Sequence, residues 1–427
     1  MSLAISIEQR RLKYVATIND ESLTDATEPD YELQYIDIGN VDSYGTVHDV
    51  VAYKFEDAPS RARRIARHGD VIVSTVRTYL QAIAPIENPP ENLIVSTGFA
   101  VVRPKDNLFD AHFCRYAVRE KRFLWEVESR STGVSYPAIN ASDLADIRIS
   151  LPDVETQRLI ADYLDRETAR IDALVAEKEK MLILLEEKRA ALISRAVTRG
   201  LDPNVPMKPS GLDWLGDIPA HWEIRGLKYL ASKIGSGITP RGGAESYQSD
   251  GISLFRSQNI HFDGLHMDDI VFIDEDTHEA MSNSKVLNGD VLINITGASI
   301  GRCYYIENLQ GEANVNQHVC VVRPGPKIET KFLYFVLRSH VGQHQIDLSQ
   351  AGSGREGLNF EALGNFNIVL PPLDEQQMII RRLEMAGNRS TKLLNGIRTS
   401  IECLKERRAA LITAAVTGQI PVEEMKV

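Results

Sequence analysis

EKRAALISRAVT (residues 187–198) recurs 219 residues later as ERRAALITAAVT (residues 406–417), with nine of the twelve positions identical. The same offset carries Leu151-Pro152 onto Leu370-Pro371, Gln157 onto Gln376, Leu164 onto Leu383 and Leu174 onto Leu393, without a gap. A repeat of half the chain length is the first thing a fold must satisfy. Upstream, Gly69-Asp70-Val71 answers Gly289-Asp290-Val291, and Val101–Pro104 answers Val321–Pro324. Leu12-Lys13-Tyr14 resembles Leu227-Lys228-Tyr229. The chain is a tandem duplication of a variable domain followed by a similar helix.

The helical parts read first. From Pro152 to Thr198 there is no internal Gly or Pro, and the residues are mostly helix formers. Leu164, Ile171, Lys178, Leu185 and Leu192 share one heptad position, with Leu174 and Met181 at the partner position. Leu383, Ser390, Ile397, Leu404 and Leu411 make the matching stripe in the second copy, with Leu393 answering Leu174. Seven-residue spacing predicts helix-on-helix packing of the coiled-coil type. About 45 residues give a rod of ~70 Å. Gly387 and Gly396 predict fraying or a kink in the second helix.

The upstream parts read as mixed α/β. Short apolar runs such as 70–75, 94–102, 290–295 and 318–322 lie between Gly, Pro and Asn, as strands do. Segments 109–128 and 330–345 read as helices. The expected fold class is therefore α/β, with two tandem mixed α/β domains separated by a long antiparallel coiled-coil pair, related by a pseudo-two-fold. The expected boundaries are 1–150, 151–200 (helix), 201–218 (a linker with Pro203, Pro206 and Pro209), 219–369 and 370–427 (helix and tail).

Composition bounds the function. The chain has 427 residues, 43% hydrophobic and 25% charged, which is ordinary globular usage. No run reaches the ~20 apolar residues of a membrane span, and the first residues do not read as a signal peptide. Cys114, Cys303, Cys320 and Cys403 form no C-x-x-C pair, which fits a reduced, cytoplasmic setting without zinc. The net charge of −11 argues against a histone-like coating of nucleic acid but leaves local basic patches free to bind it.

The linker AVTRGLDPNVPMKPSGLDWLGDIPAHWEIRGLKYL (196–230), LPPLDEQ (370–376) and the paired KRAALI/RRAALI segments together resemble the specificity subunit of Type I restriction–modification systems. The resemblance covers essentially the whole chain. It implies that each variable domain is a target recognition domain reading one half of a split sequence in double-stranded DNA. It implies that the two helices set the spacing and dock the modification subunits, two copies by symmetry. S-adenosylmethionine then belongs to the modification subunit, and ATP and Mg to a restriction subunit that joins the core. This chain would carry no cofactor, no metal and no catalytic residue. The second domain opens with Ile218-Pro219-Ala220-His221-Trp222, whereas the first has only a degenerate start at residues 7–14.

Shorter matches to enzyme motifs dissolve on inspection. Asn88-Pro89-Pro90 is followed by Glu91, not by the aromatic an adenine methyltransferase stacks on its flipped base. Gly352-Ser353-Gly354-Arg355-Glu356-Gly357 fits G-x-G-x-x-G but lacks the strand before it that a dinucleotide site needs. The ten histidines show no H-E-x-x-H or comparable ligand spacing.

Groove readout needs Arg or Lys for guanine, Asn or Gln for adenine, and phosphate contacts for register. The first domain offers Arg61, Arg63, Arg64 and Arg67, either as phosphate contacts or as a solvated helix face. It also offers Arg77 and Tyr79 after a predicted strand, and Arg130 with the turn containing Ser135 and Tyr136. The second offers Thr239, Arg241, Gln258, Asn259, Arg302, Gln317, His318, Ser353 and Arg355. Arg77 aligns with Gly297 and Ser135 with Gly354, the kind of mismatch an asymmetric target requires. A coiled-coil adaptor with two binding modules and no DNA role is the competing reading; it accounts for the repeat and the charge, not for the linker.

Overall fold

The computed structural model of the chain describes residues 7–240, 242–350 and 357–426, with only the backbone of Ala244. Val71-Ile72-Val73 and Val291-Leu292-Ile293, the apolar runs after each Gly-Asp, are fully buried central strands. In the first domain the sheet order is Ala16–Ile18, Phe99–Pro104, Val71–Ser74, Ile83–Pro85, all antiparallel. The second domain repeats it as Ala231–Ser236, Val319–Pro324, Val291–Asn294, Cys303–Tyr305. Alternation decides the two faces. Val71 and Val73 pack with Phe113, Phe123 and Leu164, while Ile72 packs with Ile36 and Val95 of a second sheet. Val291 and Ile293 likewise pack with Phe332 and Leu383, and Leu292 with Phe255 and Val315. The second sheets share a parallel pair, Glu32–Ile36 with Leu93–Ser96 and Ile252–Phe255 with Ala313–Val315.

A buried ion pair closes the base of each sheet. Arg103 donates to both carboxylate oxygens of Asp70 at 2.8 Å, and Arg323 to those of Asp290 at 2.7 and 2.9 Å. Each aspartate also accepts a backbone N–H at 2.7 Å, from Arg67 and Leu287. Charges this deeply buried are tolerated because every oxygen has a donor.

The degenerate N-terminal entry folds like the full one. Glu8–Arg11 pairs antiparallel with Arg148–Leu151, as Glu223–Gly226 pairs with Asn367–Leu370. Trp222, fully buried, donates from Nε1 to Glu375 at 2.8 Å, and His221 bonds the other carboxylate oxygen. The two motifs that carried the family resemblance, Ala220-His221-Trp222 and Leu370–Gln376, therefore grip each other.

Two helices run unbroken over Val154–Arg199 and Leu373–Val416. Gly387 and Gly396 lie inside the second without interrupting it, against expectation; a methyl at either would meet nothing within 4 Å. The segments 109–128 and 330–345 are each two helices rather than one, Ala111–Ala117 with Lys121–Arg130 and Thr330–Arg338 with His340–Gln350.

The chain divides into two compact units, residues 1–179 with 398–427, and residues 180–397. Each long helix gives one end to each unit. In the first, Ile160 and Leu164 share a core with Ile412 and Val416, and Arg408 donates to Asp172 at 2.9 Å. In the second, Ile193 and Val197 share a core with Ile379 and Leu383. The start of one helix meets the end of the other in both units, so the helices pack antiparallel in each.

The buried stripe needs one correction. Leu174, Leu192 and Leu393 are 41, 37 and 48% exposed and do not pack in the seam. The stripe runs through 164, 168, 171, 175, 178, 182, 185, 189 and 193 in the first helix. In the second it runs through 383, 387, 390, 394, 397, 401, 404, 408 and 412, the same positions at the repeat offset. Leu164, Ile171, Leu383 and Ile397 are buried on it, and Leu185, Leu404 and Leu411 are partly covered. The step from residue 171 is four, to Val175, rather than three, to Leu174. An a/d seam alternates steps of three and four, and an apolar residue on each side of the step conceals the phase.

Candidate nucleic-acid interface

The strands of each four-stranded sheet end in loops on one side, opposite the Asp–Arg base. In the first domain these loops are 75–82 and 97–98, joined by Thr75 N–H to Gly98 C=O at 2.8 Å. The turn 131–138 is fastened to them by backbone bonds from Thr78 to Pro137 and from Ile139 to Thr75, and by a 2.8 Å bond between the hydroxyls of Thr78 and Ser131. Arg77, Tyr79, Ser135 and Tyr136 are thereby brought to one exposed tip, the Arg77 guanidinium 4.8 Å from the centre of the Tyr136 ring. Arg77 stands at φ +53°, in the left-handed region that non-glycine residues seldom adopt.

Arg61 and its neighbours part company. Ala62–Ile65 is a strand, not a helix, leading from the tip toward the base. Arg61 sits at the tip, its carbonyl accepting from Thr97 at 2.8 Å, with no ion pair among the described residues. Arg67 lies at the base and donates to both oxygens of Glu21, at 2.7 and 2.9 Å. Arg63 stacks 4.7 Å over Phe55, and Arg64 donates to Ser22. Arg130 is tied to Glu126 one turn back and to the Asp143 carbonyl. Arg63, Arg64, Arg67 and Arg130 are thus occupied within the fold.

The second domain builds its tip from equivalent strand ends. Asn294 reaches across from its own strand end, donating to the Ser257 carbonyl at 2.8 Å and the Ser299 hydroxyl at 3.0 Å. Gly237 N–H bonds Asn316 C=O, and Leu358 N–H bonds Ile295 C=O. These bonds collect Thr239, Gln258, Arg302, Gln317 and His318. Gln317 donates to His318 Nε2 at 2.9 Å, so His318 carries its proton on Nδ1 and donates to Thr296 at 2.6 Å. Gly297 has φ +74°, the conformation of Arg77 at the matching place. Asn259 is different: it is buried, bonding Arg256 N–H and the His266 carbonyl, and holds the loop from within. Arg241, Ser353 and Arg355 lie outside the described residues, as does most of the 352–357 glycine run.

Asn294, Thr296 and Ser299 were not singled out from sequence. Asn294 ends an apolar strand with one buried amide oxygen unpartnered, a strand-end polar residue that the Asp290–Ile295 run shows only in hindsight.

Each domain sets an arginine beside an arginine of its long helix. Burial lowers the Arg119 guanidinium to about 10, with Arg408 on the helix adding to the effect. Arg119 donates to the carbonyls of Ile83 and Ser43. In the second domain Arg338 bonds Phe262 C=O at 2.6 Å and lowers Arg189 of the helix in addition to that residue's burial.

This frame defines a duplicated DNA-recognition fold. The family model for the Type I restriction modification DNA specificity domain matches residues 7–182 and 246–403, and the chain belongs to that family, with two such domains in tandem. The EcoBI specificity subunit of Escherichia coli is 25% identical over 414 residues, 90% of this chain and 86% of that protein. The MjaVIII specificity subunit of Methanocaldococcus jannaschii is 22% identical, over 78% of this chain and 75% of that one. In fold, a chain from a study of assembly and conformational transition of the type I R-M system superposes with TM-score 0.75 at 22% identity, covering 97% of this chain and 98% of that one. The HsdS subunit from Thermoanaerobacter tengcongensis gives 0.51 at 23%, covering 97% of both.

Proposed function

We propose that this chain selects the DNA target of a Type I restriction–modification complex and catalyses nothing itself. The observation that carries this is the pair of sheet tips: one frame, two sets of side chains. Arg77 in one and Gly297 in the other occupy the same left-handed position, so each tip offers a different face to a groove. The first tip presents Arg61, Arg77, Tyr79 and Tyr136; the second presents Gln258, Arg302, Gln317 and His318. Arginine suits guanine and phosphate, and glutamine suits adenine. The helices set the distance between half-sites and dock two modification subunits, which bring S-adenosylmethionine. A restriction subunit with ATP and Mg completes the complex, acting on double-stranded DNA in the cytoplasm.

The test is to co-express the chain with its modification subunit and map adenine methylation across the host genome. A single split motif, absent when either partner is omitted, is the expected result. A complex whose DNA affinity is independent of salt would instead favour the adaptor, because phosphate neutralisation gives a steep salt slope.

A further inference from the structure

The second domain contains a buried histidine whose surroundings the DNA role does not use. The short helix Glu275–Ala280 is capped by Asp274, which accepts the Thr277 N–H at 2.7 Å. Spacings of three and four put Glu275, His278 and Glu279 on one helix face. His278 is 1% exposed.

The hydrogen-bond network fixes its tautomer. Ser284 donates its hydroxyl to the Met281 carbonyl at 2.8 Å. Asn314 donates its amide to that same carbonyl at 3.0 Å and to the Ser284 hydroxyl at 2.8 Å. The Asn314 oxygen is therefore an acceptor, and His278 Nδ1, 2.5 Å away, carries the proton. Nε2 is left buried and without a hydrogen-bond partner. Facing it are the carboxylate oxygens of Glu312 at 3.5 Å and Glu279 at 3.9 Å. A lone pair buried against carboxylates is matched by a positive charge between them, which a proton on Nε2 or a bound metal ion supplies.

We propose that Glu275, His278, Glu279 and Glu312 bind one divalent transition-metal cation of the zinc class. The ligand atoms of Glu275, His278 and Glu279 lie within 4.8 Å of one another. Tetrahedral zinc bonds of about 2.0–2.2 Å place neighbouring ligands roughly 3.4 Å apart, close to the His278–Glu312 separation. The imidazole excludes a hard cation such as Mg or Ca, which takes oxygen. Asn314 supplies the carbonyl that orients a metal-bound histidine. Lys285 bonds the Glu279 oxygen that faces His278, so the ion would share that oxygen with the ammonium group or take the carboxylate's other oxygen. The ion would tie this helix to the strand Ala313–Val315, directly before Gln317 and His318 of the tip. Glu-x-x-His-Glu completed from a distant strand matches no ligand motif, which is why spacing alone pointed away from metal.

A second group, His261, Asp263 and His266, also brings ligand atoms within 4.8 Å, but it is at the surface and His261 Nε2 already bonds the Gln258 carbonyl at 2.9 Å. It serves as an internal control. The full-length chain, freed of metal by a chelator, is titrated with Co²⁺ by visible absorption and then with Zn²⁺. One Co²⁺ per chain with a tetrahedral spectrum, displaced by Zn²⁺, is expected. Glu275→Gln, an exposed change checked for fold by circular dichroism, should weaken binding by about tenfold or more. His278→Gln should abolish the spectrum, and His261→Ala/His266→Ala should leave it intact. The proposal is overturned by the absence of a tetrahedral spectrum, by equal binding in Glu275→Gln and the parent, or by loss of binding in the surface pair instead.

Discussion

Gln157 and Gln376, one turn into each long helix, make the same three hydrogen bonds. Gln157 accepts from Asp110 N–H at 2.8 Å and donates to the carbonyls of Leu108 and Pro152 at 3.0 and 2.8 Å. Gln376 accepts from Glu329 N–H at 2.8 Å and donates to Lys327 and Pro371 at 3.1 and 2.9 Å. Both are fully buried, so each is the polar rivet between a recognition domain and its helix.

Replacing either glutamine by leucine leaves a buried N–H and two carbonyls unpaired. Each change should cost about 2–4 kcal/mol. Because the residues lie in different units, the double variant should lose the sum within about 0.5 kcal/mol. Urea unfolding checks both; strong non-additivity would show that the two sites are energetically coupled.

Arg77→Gly removes the left-handed strain at the first tip. It should stabilise the protein by about 1 kcal/mol while weakening DNA binding and flattening its salt slope by about one counterion. Thermal unfolding and a salt-dependent binding titration measure the two effects. A variant that gains stability with unchanged affinity would remove Arg77 from the interface.

The first long helix begins with Asp153, whose carboxylate accepts Thr156 N–H and hydroxyl at 2.9 and 2.7 Å and is held below the usual carboxylate range by those bonds. The second begins at Pro372, which has no such group. Asp153→Ala should cost about 1 kcal/mol at neutral pH. A carboxylate with a depressed folded pKa contributes above its unfolded value, near 3.9, and loses the contribution as pH falls through the folded value. The gap between parent and variant should therefore close below about pH 4, as acid unfolding would record.

Much of this architecture was readable in the chain. The repeat offset dictates the helix pair, and it aligns Arg77 with Gly297, whose backbone conformations coincide. The seam phase was not readable, because Leu174 and Val175 are both apolar and only packing chooses between them. Nor was the division of the Arg61–Arg67 cluster, which depends on Glu21, Ser22 and Phe55 being folded against a strand. Charge spacing along the chain carries no information about such partners.

The four-and-three stripe also sharpens what a spacer change must respect. A four-residue insertion near Lys180 shifts one helix face by about 40°, whereas seven residues shift it by only about 20°. Seven residues added after Lys180 and seven after Thr399 should widen the gap between half-sites while leaving their bases unaltered. Methylation mapping reads both; altered half-site bases with a constant gap would sink the ruler.

The first compact unit is made from the beginning of the chain and its last thirty residues, while the second is a single contiguous stretch. A ribosome therefore releases everything the second unit needs before the first can be completed. The recognition domain translated earliest must wait for Ile412, Val416 and Met425 to fill its core. A stop codon that removes residues 398–427 would damage the first recognition domain rather than the second.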